Sequence, residues 1–316
     1  MLRKELELVL REIGRVISGK SEVTRKILTA MLAGGHILLD DVPGVGKTTL
    51  ALALSRATGL VYRRVQFTPD VLPSDIVGFS MYNKRTGGFE YQPGAVIATN
   101  LLLGDEINRT SSKTQSALLE AMEERQATVD GHTYPLASPF IVIATQNNVG
   151  TAGTQLLPYA QMDRFMVCLQ VGYPDHAAQM ELLRRRHNAD PLEEVQQAVS
   201  LERVLEMQRE VRDVTVKDSV LEYITDLSFA TREHELVEMG VSPRGALHLD
   251  RMAKGRAYLE GRDYVIPEDV RAVFEDVCAH RIILAQRARA SGATAARILR
   301  EVLSAVPTPD RRGLTV

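Results

Sequence analysis

The chain has 316 residues, 45% of them hydrophobic and 25% charged, with no tryptophan and a formal net charge of −2. That length suits one medium and one small domain, and the near-neutral charge excludes a global field drawing the chain to nucleic acid or acidic lipid. Phenylalanine and tyrosine are too sparse for an aromatic stacking platform, and the only cysteines, Cys168 and Cys278, lie in apolar segments without metal or redox spacing. They read as core fillers in a reducing compartment. The first residues form a charged amphipathic stretch rather than a secretory leader, and no apolar run reaches membrane-spanning length, so a cytoplasmic location is expected.

Apolar residues recur at helical spacing over residues 2–17 and again over 23–32, where Gly34 and Gly35 stop the pattern, so two helices precede the first strand. Short apolar runs then alternate with helical stretches. Residues 36–40, 61–67, 100–103, 140–145 and 166–171 read as strands, which predicts an α/β fold with a parallel sheet covered by helices. Leu101-Leu102-Leu103 and Ile141-Val142-Ile143-Ala144 are continuously apolar, as buried parallel strands require; the second run carries Arg63, Arg64 and Gln66 and belongs toward an edge. Two hairpins interrupt the alternation and should project from the sheet, one over residues 81–91 turning at Gly87-Gly88, the other over 127–134 turning at Asp130-Gly131.

Past Tyr173-Pro174 strand signals end. Helical periodicity takes over at residues 175–187, 201–211, 216–231, 243–260, 267–288 and 293–305, predicting an all-α second domain. The polar, proline-bearing stretch 187–194 reads as a linker, and 307–316 as a mobile tail. The expected division is therefore a core over residues 1–173, a helical domain over 174–306 and the tail.

The chemistry concentrates where strands end. Leu38-Leu39-Asp40-Asp41-Val42-Pro43-Gly44-Val45-Gly46-Lys47-Thr48-Thr49 is an apolar strand running into a phosphate-binding loop. Gly44 and Gly46 let the backbone aim amide N–H groups at phosphate oxygens, Lys47 supplies an ammonium and Thr48 a hydroxyl for magnesium. Pro43, Gly44, Val45, Gly46, Lys47, Thr48 and Thr49 are thus the candidate nucleotide-binding residues. Asp41 is irregular, standing where the pattern wants its first glycine.

A second strand ends in Asp105-Glu106, which suits a nucleoside triphosphatase: Asp105 would orient magnesium and Glu106 would polarise the attacking water. A third ends in Thr145-Gln146-Asn147-Asn148, where an amide could hydrogen-bond the water or the γ-phosphate. Position favours Asn147, but spacing alone does not separate it from Asn148. Asp163-Arg164, before the last strand, has the plain reading of a local ion pair on a solvated turn. His234-Glu235-Leu236-Val237-Glu238 lacks the second histidine of a metalloprotease motif and reads as a solvated helix face.

Taken in order, these motifs resemble the MoxR family of AAA+ ATPases over nearly the whole chain. The resemblance rests on residues 40–48 as Walker A, 67–78 after the second strand, Asp105-Glu106-Ile107-Asn108-Arg109 as Walker B, 113–126, Ala144-Thr145-Gln146-Asn147, Asp163-Arg164-Phe165 and Ser242-Pro243-Arg244. An acidic residue at the Asp41 position is usual in that family. The resemblance implies an AAA+ αβα sandwich followed by an all-α lid, with Asn147 as first sensor, Arg164 as the arginine finger reaching a neighbouring subunit's γ-phosphate, and Arg244 as second sensor. It makes the hairpin at Gly87-Gly88 a helix-two insert and the one at Asp130-Gly131 the hairpin before the first sensor. It further implies ATP and Mg2+ as cofactors, a ring that is often a hexamer, protein clients, and a von Willebrand factor A-domain protein as partner.

The chain departs from the family pattern at Asn148-Val149-Gly150, at Tyr159 where an acid is usual, and at Gly104 in place of alanine. Two other functions compete with a protein remodeller. A nucleic-acid motor is disfavoured by the slight acidity and by a hairpin whose only basic mark is Lys84-Arg85; a nucleotide-gated scaffold without turnover is disfavoured by the presence of Glu106.

Overall fold

The computed structural model describes residues 2–147, 157–186 and 191–310. Two amphipathic helices open it, α1 (Lys4–Gly14) and α2 (Ser21–Leu32), burying Leu6, Val9 and Ile13 from the first and Ile27, Leu28 and Met31 from the second. Strand β1 (Ile37–Asp40) leads through the glycine-rich loop into α3 (Lys47–Thr58). Next come β2 (Tyr62–Gln66), α4 (Pro73–Val77) and the antiparallel hairpin of β3 (Gly78–Asn83) and β4 (Gly88–Pro93).

Strand β5 (Leu101–Asp105) precedes α5 (Ser112–Glu124), whose first turn is capped by the Ser111 hydroxyl accepting from the Thr114 amide. A second hairpin follows, β6 (Gln126–Val129) and β7 (His132–Pro135), with Asp130 and Gly131 both at positive φ as a two-residue turn of this hand requires. Strand β8 (Ile141–Gln146), the short α6 (Tyr159–Met162) and β9 (Val167–Leu169) complete this part.

The sheet order is β2-β5-β8-β1-β9, with every neighbouring pair parallel. Strands β5 and β8 are buried along their whole length, while β2 lies at the edge with Arg63, Arg64 and Gln66 exposed, as its polarity predicts. The predicted hairpins are both present, and they meet: the Tyr91 and Tyr134 rings stack with centroids 3.7 Å apart.

The rest is dominated by helices: α7 (His176–Arg186), a 3-10 turn at Pro191–Glu194, α8 (Leu201–Arg212) and α9 (Asp218–Glu233). After the short β10 (Val237–Met239) come α10 (Pro243–Leu259), α11 (Pro267–Cys278), β11 (Ile283–Leu284), α12 (Gln286–Ala290) and α13 (Ala295–Ala305). Ser200, Ser242 and Thr294 cap α8, α10 and α13 through their hydroxyls. One hydrophobic core runs from α1 and α2 through β1 and β9 into α8, α10 and α11.

Four expectations change, the first at residues 234–238, read as a helix face, which follow the end of α9 as a turn and enter β10. The helical second part is not free of strands, because β10 and β11 form a small antiparallel pair. The helix expected over 267–288 breaks after Cys278, where the buried Arg281 leaves the helical path to bond the carbonyl oxygens of Asp163, Phe165 and Met166. Asp163 and Arg164 do not pair with each other: Asp163 takes Arg281 at 2.9 Å and Arg164 takes Glu123 at 2.7 Å.

The departures at Asn148 and Gly150, the first part of the expected linker and the end of the tail lie outside the described residues. The start of the tail is tied down, with Arg271 donating to the Thr308 hydroxyl at 3.3 Å. Both cysteines are unpaired thiols, and burial pushes each up to about 12, as inert packing residues should be. Among the described residues no group of histidines, cysteines and carboxylates could hold a metal, and no helix is long and apolar enough to cross a membrane.

Candidate nucleotide site

The loop between β1 and α3 turns through Gly44 at φ 84° and Gly46 at φ 92°, a left-handed backbone that side chains disfavour. Helix α3 starts directly at Lys47, so the unpaired amides of its first turn face the loop's concavity, the arrangement that binds phosphate. Lys47 Nζ donates to the carbonyl oxygens of Asp41 at 2.9 Å and Val42 at 3.2 Å. Partial burial lowers the Lys47 ammonium from its ordinary value, against the pull of Asp41, Asp105, Asp40 and Glu106.

The irregular Asp41 has a structural task. One carboxylate oxygen accepts from the Val42 amide at 2.8 Å and the other from the Gly172 amide at 2.6 Å. This fastens the start of the loop to the chain leaving β9, a tie that glycine could not make.

Strand β5 delivers the two acids differently. Asp105 is buried, held by Arg64 Nε at 2.7 Å on one oxygen and by the Thr145 hydroxyl at 3.2 Å on the other. That hydroxyl in turn accepts from the Glu106 amide at 2.9 Å, so β8 sets the height of both acids. Glu106 sits at φ 56°, which turns its carboxylate out of the strand toward Gln66, donating at 3.2 Å, and Arg109, donating at 2.7 Å. Asn147 lies beside them, its carbonyl accepting from Asn108 at 3.1 Å.

These groups enclose a cavity of about 340 Å³ lined by Pro43, Gly44, Gly46, Lys47, Thr48, Thr49, Arg64, Gln66, Asp105, Glu106, Thr145 and Asn147. It lies beyond the carboxyl ends of β1, β5 and β8, where open α/β sheets bind ligands. Seen from the loop's other side, Ile17 reaches to 3.8 Å of where a Cβ on Gly46 would sit. Sequence reasoning missed Arg64 and Gln66, for which the polar edge strand was the available signal, and named Thr145 and Arg109 within their motifs without the contacts seen here.

Arg164 and Arg244 lie elsewhere. Both hold Glu123, Arg164 Nε donating to one carboxylate oxygen at 2.7 Å and Arg244 Nη2 to the other. They line a second cavity, of about 280 Å³, together with Arg125, Arg251, His36 and His248, and among the described residues none lines both cavities. Arg164 leaves the turn after α6, Arg244 the first turn of α10, and Ser242 at the start of that helix donates to the Asp163 carboxylate at 3.0 Å.

A Gly/Lys/Thr loop opening a helix, two carboxylates at the end of β5, separated from the loop strand β1 by β8, and a helical part following them define an ATPase of the AAA type. Comparison with known proteins agrees. Residues 36–167 match the model of the ATPase family associated with various cellular activities, and residues 229–302 that of the AAA lid domain. The chain is 47% identical to the uncharacterised protein YeaC of Bacillus subtilis, over 96% of this chain and 94% of that one. It is 38% identical to Chaperone MoxR1 of Mycobacterium tuberculosis, over 96% and 82%, and 34% identical to Protein MoxR of Methylorubrum extorquens, over 87% and 86%. A crystal structure of a candidate ATPase from Cytophaga hutchinsonii superposes with a TM-score of 0.90 at 41% identity, covering 97% of this chain and 95% of the other. The chain belongs to the MoxR family of AAA+ ATPases.

Proposed function

We propose that this ATPase hydrolyses ATP at sites shared between neighbouring copies of itself in a ring, and spends the cycle remodelling protein clients. The observation that carries the shared site is the separation of Arg164 and Arg244 from the phosphate loop. Two guanidiniums suited to phosphoryl oxygens line a cavity that, among the described residues, shares none with the one holding Lys47, Asp105 and Glu106. A neighbouring copy could present the first to the second.

In this reading Pro43, Gly44, Val45, Gly46, Lys47, Thr48 and Thr49 bind the triphosphate through the loop amides, the ammonium and the hydroxyls. The Thr48 hydroxyl and the Asp105 carboxylate are hard oxygen donors lining one cavity, a set that fits Mg2+. When bound, the ion would neutralise charge on the phosphate oxygens. Glu106 accepts the proton of the attacking water, Gln66 and Arg109 hold its carboxylate in place beforehand, and Asn147 orients the water or the terminal phosphate. Arg164 and Arg244 meet the charge that develops on the phosphoryl group of the next subunit.

A hexamer, a von Willebrand factor A-domain partner and a cytoplasmic site of action belong to the same reading, the last supported by two unpaired thiols. So does the division into a nucleotide-binding core over residues 1–173 and a lid over 174–306. Remodelling of clients is supported by the relative named a chaperone rather than by any partner motif in the chain. The test is hydrolysis per subunit against protein concentration: a rise toward a plateau supports the shared site, and a rate independent of dilution contradicts it. Capture by the Glu106→Gln variant with ATP would identify clients.

A further inference from the structure

We propose that Glu123 is a removable internal counter-ion: it holds Arg164 and Arg244 in the unassembled chain and yields them to the terminal phosphate of nucleotide bound by a second copy of this chain. The inference rests on the shared-site reading above. Each oxygen of the Glu123 carboxylate takes one guanidinium, so a single trigonal anion already bridges the two arginines. A phosphoryl group offers the same bridging with more charge.

The surroundings call for an anion there. Among the described residues four guanidiniums line the cavity, those of Arg125, Arg164, Arg244 and Arg251, and Glu123 is the one acid. The two histidines leave this excess unchanged, since burial and neighbouring arginines keep both His36 and His248 neutral and an imidazole cannot supply negative charge. Nor does helix stability account for a carboxylate at this position. Glu123 lies in the last turn of α5, where the helix dipole disfavours an acid.

Displacement is feasible because the cluster is open. The side chains of Glu123, Arg164 and Arg244 are each about a third exposed (36%, 32% and 38%), and ion pairs at that exposure are weak. The arginines would stay in place once the carboxylate left, because their backbones are anchored independently. Asp163, next to Arg164, is bonded to Ser242 of the α10 cap and to the buried Arg281.

The test uses the full-length chain with Glu123→Gln, which keeps shape and removes charge, and Glu123→Ala as a second variant. The readout is the protein concentration giving half-maximal ATP hydrolysis per subunit. We expect it to fall about fivefold in both variants, the size expected from removing weak, partly exposed ion pairs that compete with assembly. If Glu123 merely propped up the arginines, the half-maximal concentration would rise, and a rise or no change overturns the inference. The two readings fail separately: dilution-independent hydrolysis by the unaltered protein removes the shared site, whereas normal concentration dependence with an unshifted Glu123→Gln variant removes only the role of Glu123.

Discussion

The Asp163 carboxylate accepts the Ser242 hydroxyl at 3.0 Å, joining the turn that carries Arg164 to the helix that carries Arg244 across 79 positions of sequence. Ser242 also accepts from the Gly245 amide at 3.0 Å, so one hydroxyl caps α10 and fixes it to the core. Arg281 completes the joint from beneath, donating to Asp163 at 2.9 Å from a fully buried position. The two arginines are therefore placed as one unit.

Ser242→Ala removes both the cap and the joint. Loss of an N-cap plus a hydrogen bond to a charged group should cost about 1–3 kcal/mol of stability. Urea unfolding measures that loss, and ATP hydrolysis at saturating protein should fall while ATP binding, governed by the separate loop cavity, is retained. Loss of ATP binding would show that the two cavities are not independent.

Asp41→Gly restores the missing glycine of the phosphate-loop pattern, yet it should weaken nucleotide binding. The substitution deletes the bonds to the Val42 and Gly172 amides and frees the loop entrance. Two hydrogen bonds to a carboxylate at roughly 1.5–3 kcal/mol each bound the loss, so a fall of about tenfold or more in ATP affinity by titration is expected. Tighter binding would mean that Asp41 is tolerated rather than used.

Glu106→Gln should retain ATP and stall turnover by about 10²–10⁴-fold, the range for a general base. Single-turnover hydrolysis with labelled ATP separates the two effects. Unchanged turnover would remove Glu106 from its role.

Three buried histidines set a pH dependence. Burial, aided by nearby arginines, lowers His36 and His248 to about 3 and holds His280 well below its ordinary value. Unfolding returns each to an ordinary value near 6.5, so between about pH 6.5 and 3 the unfolded chain binds more protons than the folded one. Stability is then full above pH 6.5 and falls as pH falls, by up to about 1.4 kcal/mol per pH unit for each ring. Urea midpoints at pH 7.5 and 5.5 test this, and equal midpoints would show that the rings titrate normally.

How much of this was legible in the sequence follows from the range of the interactions. The five strands, the edge position of β2 and both hairpins are local, written in runs of apolar residues and in Gly87-Gly88 and Asp130-Gly131. The phosphate loop and the Asp105-Glu106 pair were legible for the same reason. The break after Cys278 was not, because Ile282, Ile283 and Leu284 continue a helical spacing and only the distant Asp163, Phe165 and Met166 draw Arg281 away from it. Glu123 lay in the stretch 113–126 without an assigned role, since its partners lie 41 and 121 positions away. The task of Asp41 was hidden likewise, with Gly172 lying 131 positions further on.

The central claim is that one chain supplies the loop and the next supplies the arginines. It is tested most directly by mixing two inactive proteins, Glu106→Gln, which keeps Arg164, and Arg164→Ala, which keeps Glu106. Random assembly at equal amounts makes about a quarter of the interfaces complete, because an Arg164→Ala subunit then receives its arginine from a Glu106→Gln neighbour. The account predicts that hydrolysis returns in the mixture to roughly that fraction of the unaltered rate. A mixture as inactive as its components, with mixed assembly verified, would contradict it.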